Sequence, residues 1–163
     1  MSAADRAGYS PAFSPRHRRR GALFDLPKVV EGAPALLTQR GVADRVVVEP
    51  GSFFESAPAG VDAYLMKNVI HDWADEDAVK ILRNIHAAAT PNAKLLLFEL
   101  VIPNHNREFI GKLIDMEMLL LAGAKERTAD QWRDLLLQAG FRLTRIVPSA
   151  SPLSIIEAEI APA

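Results

Sequence analysis

A chain of 163 residues, 49% hydrophobic and 24% charged, has the length and balance of one globular domain able to bury a core. That excludes collagen-like and wholly disordered chains, and the lack of cysteine excludes a disulfide framework, a thiolate metal site and a cysteine nucleophile. The formal net charge of -1 is uneven: residues 1–20 carry Arg6, Arg16, Arg18, Arg19 and Arg20 against Asp5 alone, a local +4, which leaves -5 for the remainder.

Met1 to Arg20 mixes Ser, Ala, Pro and Arg without helical or strand periodicity and reads as a disordered basic leader. A basic arm can also attract nucleic acid, which is the minor reading here. No apolar stretch reaches the roughly 18 residues of a membrane span, and no signal-peptide pattern opens the chain, so a cytoplasmic protein without membrane contact is expected.

From Gly21 the chain alternates apolar runs with helical patterns, as βαβ proteins do. Gly21 to Leu26 is a predicted strand, Lys28 to Arg40 a helix weakened by Gly32 and Pro34, and Arg45 to Glu49 a buried strand that turns at Pro50, Gly51 and Ser52. A third strand is expected over Asp62 to Ile70, followed by the polar turn His71 to Asp75. Asp75, Glu76 and Asp77 then open a helix running to about Ala89. Lys94 to Ile102 is expected as one central strand, and Lys112 to Leu121 as a helix. Thr128 to Gln131 has capping-box form ahead of Trp132, Leu135 and Leu136, with Gly140 as the helix stop. Phe141 to Pro148 and Leu153 to Ile160 complete the chain as two antiparallel strands.

Three residues on this frame can carry proton chemistry. His71 stands at the carboxyl end of a predicted strand, where open α/β sheets bind ligands; its bland reading is a surface or capping histidine. Glu99 interrupts an apolar strand, and a carboxylate there is costly if buried unpaired, unless it reaches water at the strand end. Glu126 precedes a helix, where the ordinary reading is a solvated charged turn. The other histidines, His17, His86 and His105, show no metal-ligand spacing with His71, so no metal site is expected.

In order along the chain stand FDLP at Phe24 to Pro27, PGSFF at Pro50 to Phe54, MKNVIHDW at Met66 to Trp73, DEDA with ILRN, LLLFE at Leu95 to Glu99, DMEML at Asp115 to Leu119, KERT at Lys125 to Thr128, and AGF ending at Phe141. This series resembles the plant-type (caffeate and hydroxyindole) S-adenosylmethionine-dependent O-methyltransferases and their bacterial polyketide-tailoring relatives. The resemblance spans Gly21 to the C-terminus. It implies a methyl transfer to a hydroxylated aromatic or polyketide-like small molecule, with His71 as general base and Glu99 and Glu126 flanking it. By the same resemblance Asp25 holds the cofactor ribose, Ser52, Phe53 and Lys67 lie near its adenine and carboxylate end, and Asp115 and Met118 line the acceptor pocket.

The family pattern also carries an acidic residue where Ser52 stands, and a strand with a Gly-rich loop ahead of FDLP. No two glycines in this chain are closer than nine residues, so that loop is not in this sequence. The implied fold class is α/β: an incomplete class I methyltransferase Rossmann-like sheet without its first strand and Gly-rich loop, with residues 21–163 as a partial catalytic domain. The family is homodimeric through an N-terminal helical domain that has no counterpart here. A truncated or frame-disrupted gene product is the expected origin, and a catalytically silent remnant or interaction module is the alternative to an active methyltransferase.

Overall fold

The computed structural model describes residues 19–104 and 124–162. The chain forms two compact units, residues 1–59 and 60–163.

In the first unit, strand β1 (Gly21–Asp25) runs parallel to β2 (Val46–Pro50), pairing Gly21 with Val46 through to Asp25 with Pro50. Their connection is helical, giving a βαβ crossover closed over Val30, Ala33, Val42 and Val46. The single helix expected from Lys28 to Arg40 is two: α1 (Pro27–Val30) and α2 (Ala33–Gln39). Pro34 has no amide to donate to the turn before it, and a proline fits only the first turn of a helix, where both Pro27 and Pro34 sit. After β2, Gly51 donates its N–H to the Asp25 carbonyl at 2.9 Å. A Cβ at Gly51 would lie 2.3 Å from the Phe24 ring, so the close approach of this turn to β1 requires glycine.

The second unit is a mixed sheet in the order β3 (Ala63–Lys67), β4 (Lys94–Glu99), β8 (Ser154–Ile160), β7 (Phe141–Pro148). β3 and β4 are parallel, linked through helix α3 (Asp75–Ala88); β8 runs antiparallel to both β4 and β7. A second helix, α4 (Ala129–Gln138), precedes β7. The apolar spacing of α3 works as expected, since Ala78, Val79, Ile81, Leu82 and Ile85 are all buried. Trp132, Leu135 and Leu136 of α4 are buried too, and Arg83 of α3 ties the helices by donating to the Gln138 carbonyl at 3.1 and 3.3 Å. On the sheet, registered pairs place Lys94 and Arg142 against Glu159, and Arg145 against Glu157 at 2.7 Å.

Two strands end earlier than expected. β3 stops at Lys67 because Asn68 turns into the left-handed region (φ 51°), so Val69 and Ile70 leave the sheet and a 3-10 turn forms over Ile70–Asp72. The strand expected from Lys94 to Ile102 breaks after Glu99, which pairs with Ser154 at the start of β8. The chain then changes partner: β5 (Val101–Ile102) pairs in parallel with β6 (Arg127–Thr128). The capping box forms as expected, with Gln131 N–H donating to Thr128 Oγ1 and Thr128 N–H to Gln131 Oε1. The helix expected over Lys112 to Leu121, with Asp115 and Met118, lies outside the described residues, as does nearly all of the basic leader. Among the described residues no helix is long and apolar enough to cross a membrane.

Candidate active site

The partner change after β4 puts two acidic segments around the turn that follows β3. Along β4, Leu95, Leu97 and Glu99 share the buried register, so Glu99 occupies a position that strand alternation reserves for an apolar side chain. It is fully buried, and its Oε1 accepts from the Val69 and Ile70 amides at 3.1 and 2.9 Å. Those are the amides released when β3 ends. Ile70, also fully buried, anchors the turn, and the Lys125 amide donates to the His71 carbonyl at 3.1 Å.

His71 is thus presented with its side chain 15% exposed, and its Nδ1 lies 2.8 Å from Oε1 of the buried Glu126. An ionised carboxylate only accepts, so this bond assigns the neutral ring's proton to Nδ1 and leaves the Nε2 lone pair as the basic site. Nε2 stands 3.4 Å from Asp72 Oδ1. Burial pulls the imidazole pKa down, but the Glu126 hydrogen bond and the charges of Glu99, Glu126 and Asp72 outweigh it, and the net shift is upward. Burial pushes Glu99 up to about 7, against the opposing pull of His71 and the two backbone amides. The arrangement can accept a proton at Nε2 and stabilise the resulting imidazolium.

Of the sequence-predicted residues, His71 and Glu126 meet directly. Glu99 reaches the backbone beneath His71, with no hydrogen bond to the ring among the described contacts. Lys67 ends β3, exposed, four residues before His71. Asp25, Ser52 and Phe53 gather in the first unit, where β1 and β2 both end. Asp25 Oδ1 accepts from Leu26 N–H at 2.7 Å, and its second oxygen has no described hydrogen bond. Ser52 Oγ accepts from Phe54 N–H at 3.3 Å, and the Phe53 and Phe54 ring centroids are 5.1 Å apart. A carboxylate at the carboxyl end of a parallel strand, with one oxygen committed to the backbone, offers an acceptor that fits the hydroxyls of a sugar diol. No cluster able to hold a metal occurs among the described residues.

Sequence reasoning missed Arg127, which is fully buried beside the histidine turn and lies over the Trp132 ring at 5.3 Å. No local signal marked it, since an arginine in KERT ahead of a helix reads as a solvated charge.

A family model described as the O-methyltransferase domain matches residues 15–142. The phenazine O-methyltransferase PhzM of Lysobacter antibioticus is 44% identical over 156 residues, 93% of this chain and 46% of that protein. The mitomycin biosynthesis 6-O-methyltransferase of Streptomyces lavendulae is 43% identical over 140 residues, 85% of this chain and 40% of that protein. Among solved structures, an O-methyltransferase from neocarzinostatin biosynthesis, in complex with S-adenosylmethionine and 2-hydroxy-5-methyl naphthoic acid, superimposes with a TM-score of 0.78 at 33% identity, covering 86% of this chain and 41% of that one. The chain therefore spans less than half the length of the relatives it matches.

Proposed function

The chain belongs to the O-methyltransferase domain family, and on that premise we propose that it carries the proton-accepting part of an S-adenosylmethionine-dependent O-methyltransferase acting on a hydroxylated aromatic or polyketide-like small molecule. The observation that carries the reading is the 2.8 Å contact between His71 Nδ1 and a fully buried Glu126. A surface histidine has no use for such a partner, whereas a carboxylate on Nδ1 fixes the tautomer of a base and stabilises its imidazolium.

In this mechanism the acceptor hydroxyl approaches Nε2 of His71 and gives up its proton there, leaving an oxygen nucleophile. Glu126 keeps the ring in the Nδ1–H tautomer and stabilises the imidazolium as it forms. Glu99 holds the amides of Val69 and Ile70, and with them the height of the turn. Asp25 would hold the cofactor's ribose hydroxyls, with Ser52 and Phe53 toward its adenine. When bound, the cofactor supplies an electrophilic methyl group on a sulfonium sulfur. By the family resemblance, Asp115 and Met118 would line the acceptor pocket. A positioned base of this kind typically contributes about 10²- to 10⁴-fold to rate.

The test is calorimetric titration of the purified, monodisperse 163-residue chain with S-adenosylhomocysteine, followed by transfer of labelled methyl to a panel of phenols. Micromolar binding with product formation is the expected result. No binding by a folded chain would overturn the reading for this chain acting alone and would leave His71, Glu99 and Glu126 as inherited residues of a protein that does not methylate by itself.

A further inference from the structure

Arg127 is fully buried, and burying a guanidinium is unfavourable unless its fixed fork of donors is satisfied. Here the fork is satisfied largely by the turn that carries His71. Nη2 donates to the Trp73 carbonyl at 2.9 Å, and Nη1 to the Ile70 carbonyl at 3.3 Å and the Lys125 carbonyl at 3.4 Å. Nε and Nη2 both reach Asp75 Oδ1, at 3.0 and 2.8 Å, where α3 begins. Asp75 Oδ2 in turn accepts from Lys125 Nζ at 2.6 Å. The carbonyls on either side of His71–Asp72 are therefore bound by the residue next to Glu126, while Glu99 binds the amides of the same turn.

We propose that Arg127 is a positioning residue: its guanidinium locks the histidine turn to the Glu126 segment and so sets the His71–Glu126 hydrogen bond. Glu126 cannot move relative to His71 without breaking contacts that Arg127 makes to Ile70, Trp73 and Asp75. A lysine keeps the charge but has three donors on a single nitrogen, and cannot reproduce a planar fork that reaches three carbonyls and a carboxylate. The charged groups facing the His71 ring among the described residues are Glu99 from β4, Glu126 from the segment before β6 and Asp72 from its own turn. Asp75 acts instead on Arg127 and Lys125. The proposal rests on the reading of His71 as the base, but its test needs no turnover.

The experiment is an NMR titration of the His71 imidazole in the ¹⁵N-labelled full chain, wild type against Arg127→Lys. The expected result is loss of the hydrogen-bonded Nδ1–H signal and a fall in the His71 pKa of ~0.5 unit or more, because the bond that raises it is released while the buried charge is conserved. A folded Arg127→Lys chain with the wild-type signal and titration midpoint overturns the proposal, even if it melts at lower temperature. Should Arg127→Lys fail to fold, Asp75→Asn decides, since that side chain is half exposed: a weakened Nδ1–H signal supports the proposal and an unchanged one overturns it. A failed base assignment reads differently. His71→Ala would then leave turnover intact while the Arg127 coupling to the ring persists.

Discussion

A hydroxyl proton leaves readily only if a base stands within hydrogen-bond reach in the right tautomer, and His71 has its tautomer set by a buried carboxylate. Removing the imidazole removes the acceptor while leaving Asp25, Ser52 and Phe53 untouched. In any form of the protein with measurable turnover, His71→Ala is expected to lower kcat by about 100-fold or more with little change in cofactor affinity. Unchanged kcat in steady-state assays would remove His71 from the mechanism. At this scale the sequence was informative where a residue broke its local pattern. Glu99 stood out because a carboxylate has no place in LLLFELVI, and the structure puts it at zero exposure in the apolar register. Arg127 broke no pattern, since an arginine in KERT reads as a solvated charge. Its burial comes from the approach of three segments, which no local window contains.

Elements were legible to the extent that local chemistry decides them. Thr128 and Gln131 satisfy each other's backbone groups within four residues, so the start of α4 follows from the sequence alone. Thr128→Ala removes one half of that exchange and is expected to cost about 1 kcal/mol, with Thr128→Ser close to wild type, read from urea midpoints. A wild-type midpoint for Thr128→Ala would show that packing of Trp132 and Leu136, and not the cap, holds the helix start. The helix stop at Gly140 was legible for a similar reason: it takes φ 88°, and a Cβ there would meet the His86 ring at 2.8 Å. Strand ends were less legible, because they depend on partners. Val69 and Ile70 are as apolar as the strand before them, yet their amides go to Glu99, 30 and 29 residues away. Likewise Val101 and Ile102 continue an apolar run but pair with β6, because β8 reaches no further than Glu99.

For the molecule as a whole, the order of strands and helices was readable from periodicity, while the insertion of β8 between β4 and β7 was not, since hydrophobic pattern says nothing about which edge a late strand joins. The buried site also leaves a mark on global stability. Glu99 has its pKa raised from 4.5 to about 7, so the folded chain binds that proton more tightly than the unfolded one. Its contribution is fully present below the unfolded value and is lost as pH rises through about 7, on the order of 3 kcal/mol for a shift of this size. His71 is raised as well and acts with the same sign, its contribution being present below 6.5 and lost as pH rises through its folded value. The lowered carboxyls of Asp75, Asp130 and Glu159 act in the opposite sense, but only as pH falls into the carboxylate range. Between pH 5 and 8 the two site groups therefore dominate, and the urea midpoint is expected to fall across that window. Glu99→Gln keeps an Oε1 acceptor for the Val69 and Ile70 amides and abolishes the ionisation, so its midpoint should fall less steeply. A Glu99→Gln chain with the full wild-type slope would place the linked proton elsewhere.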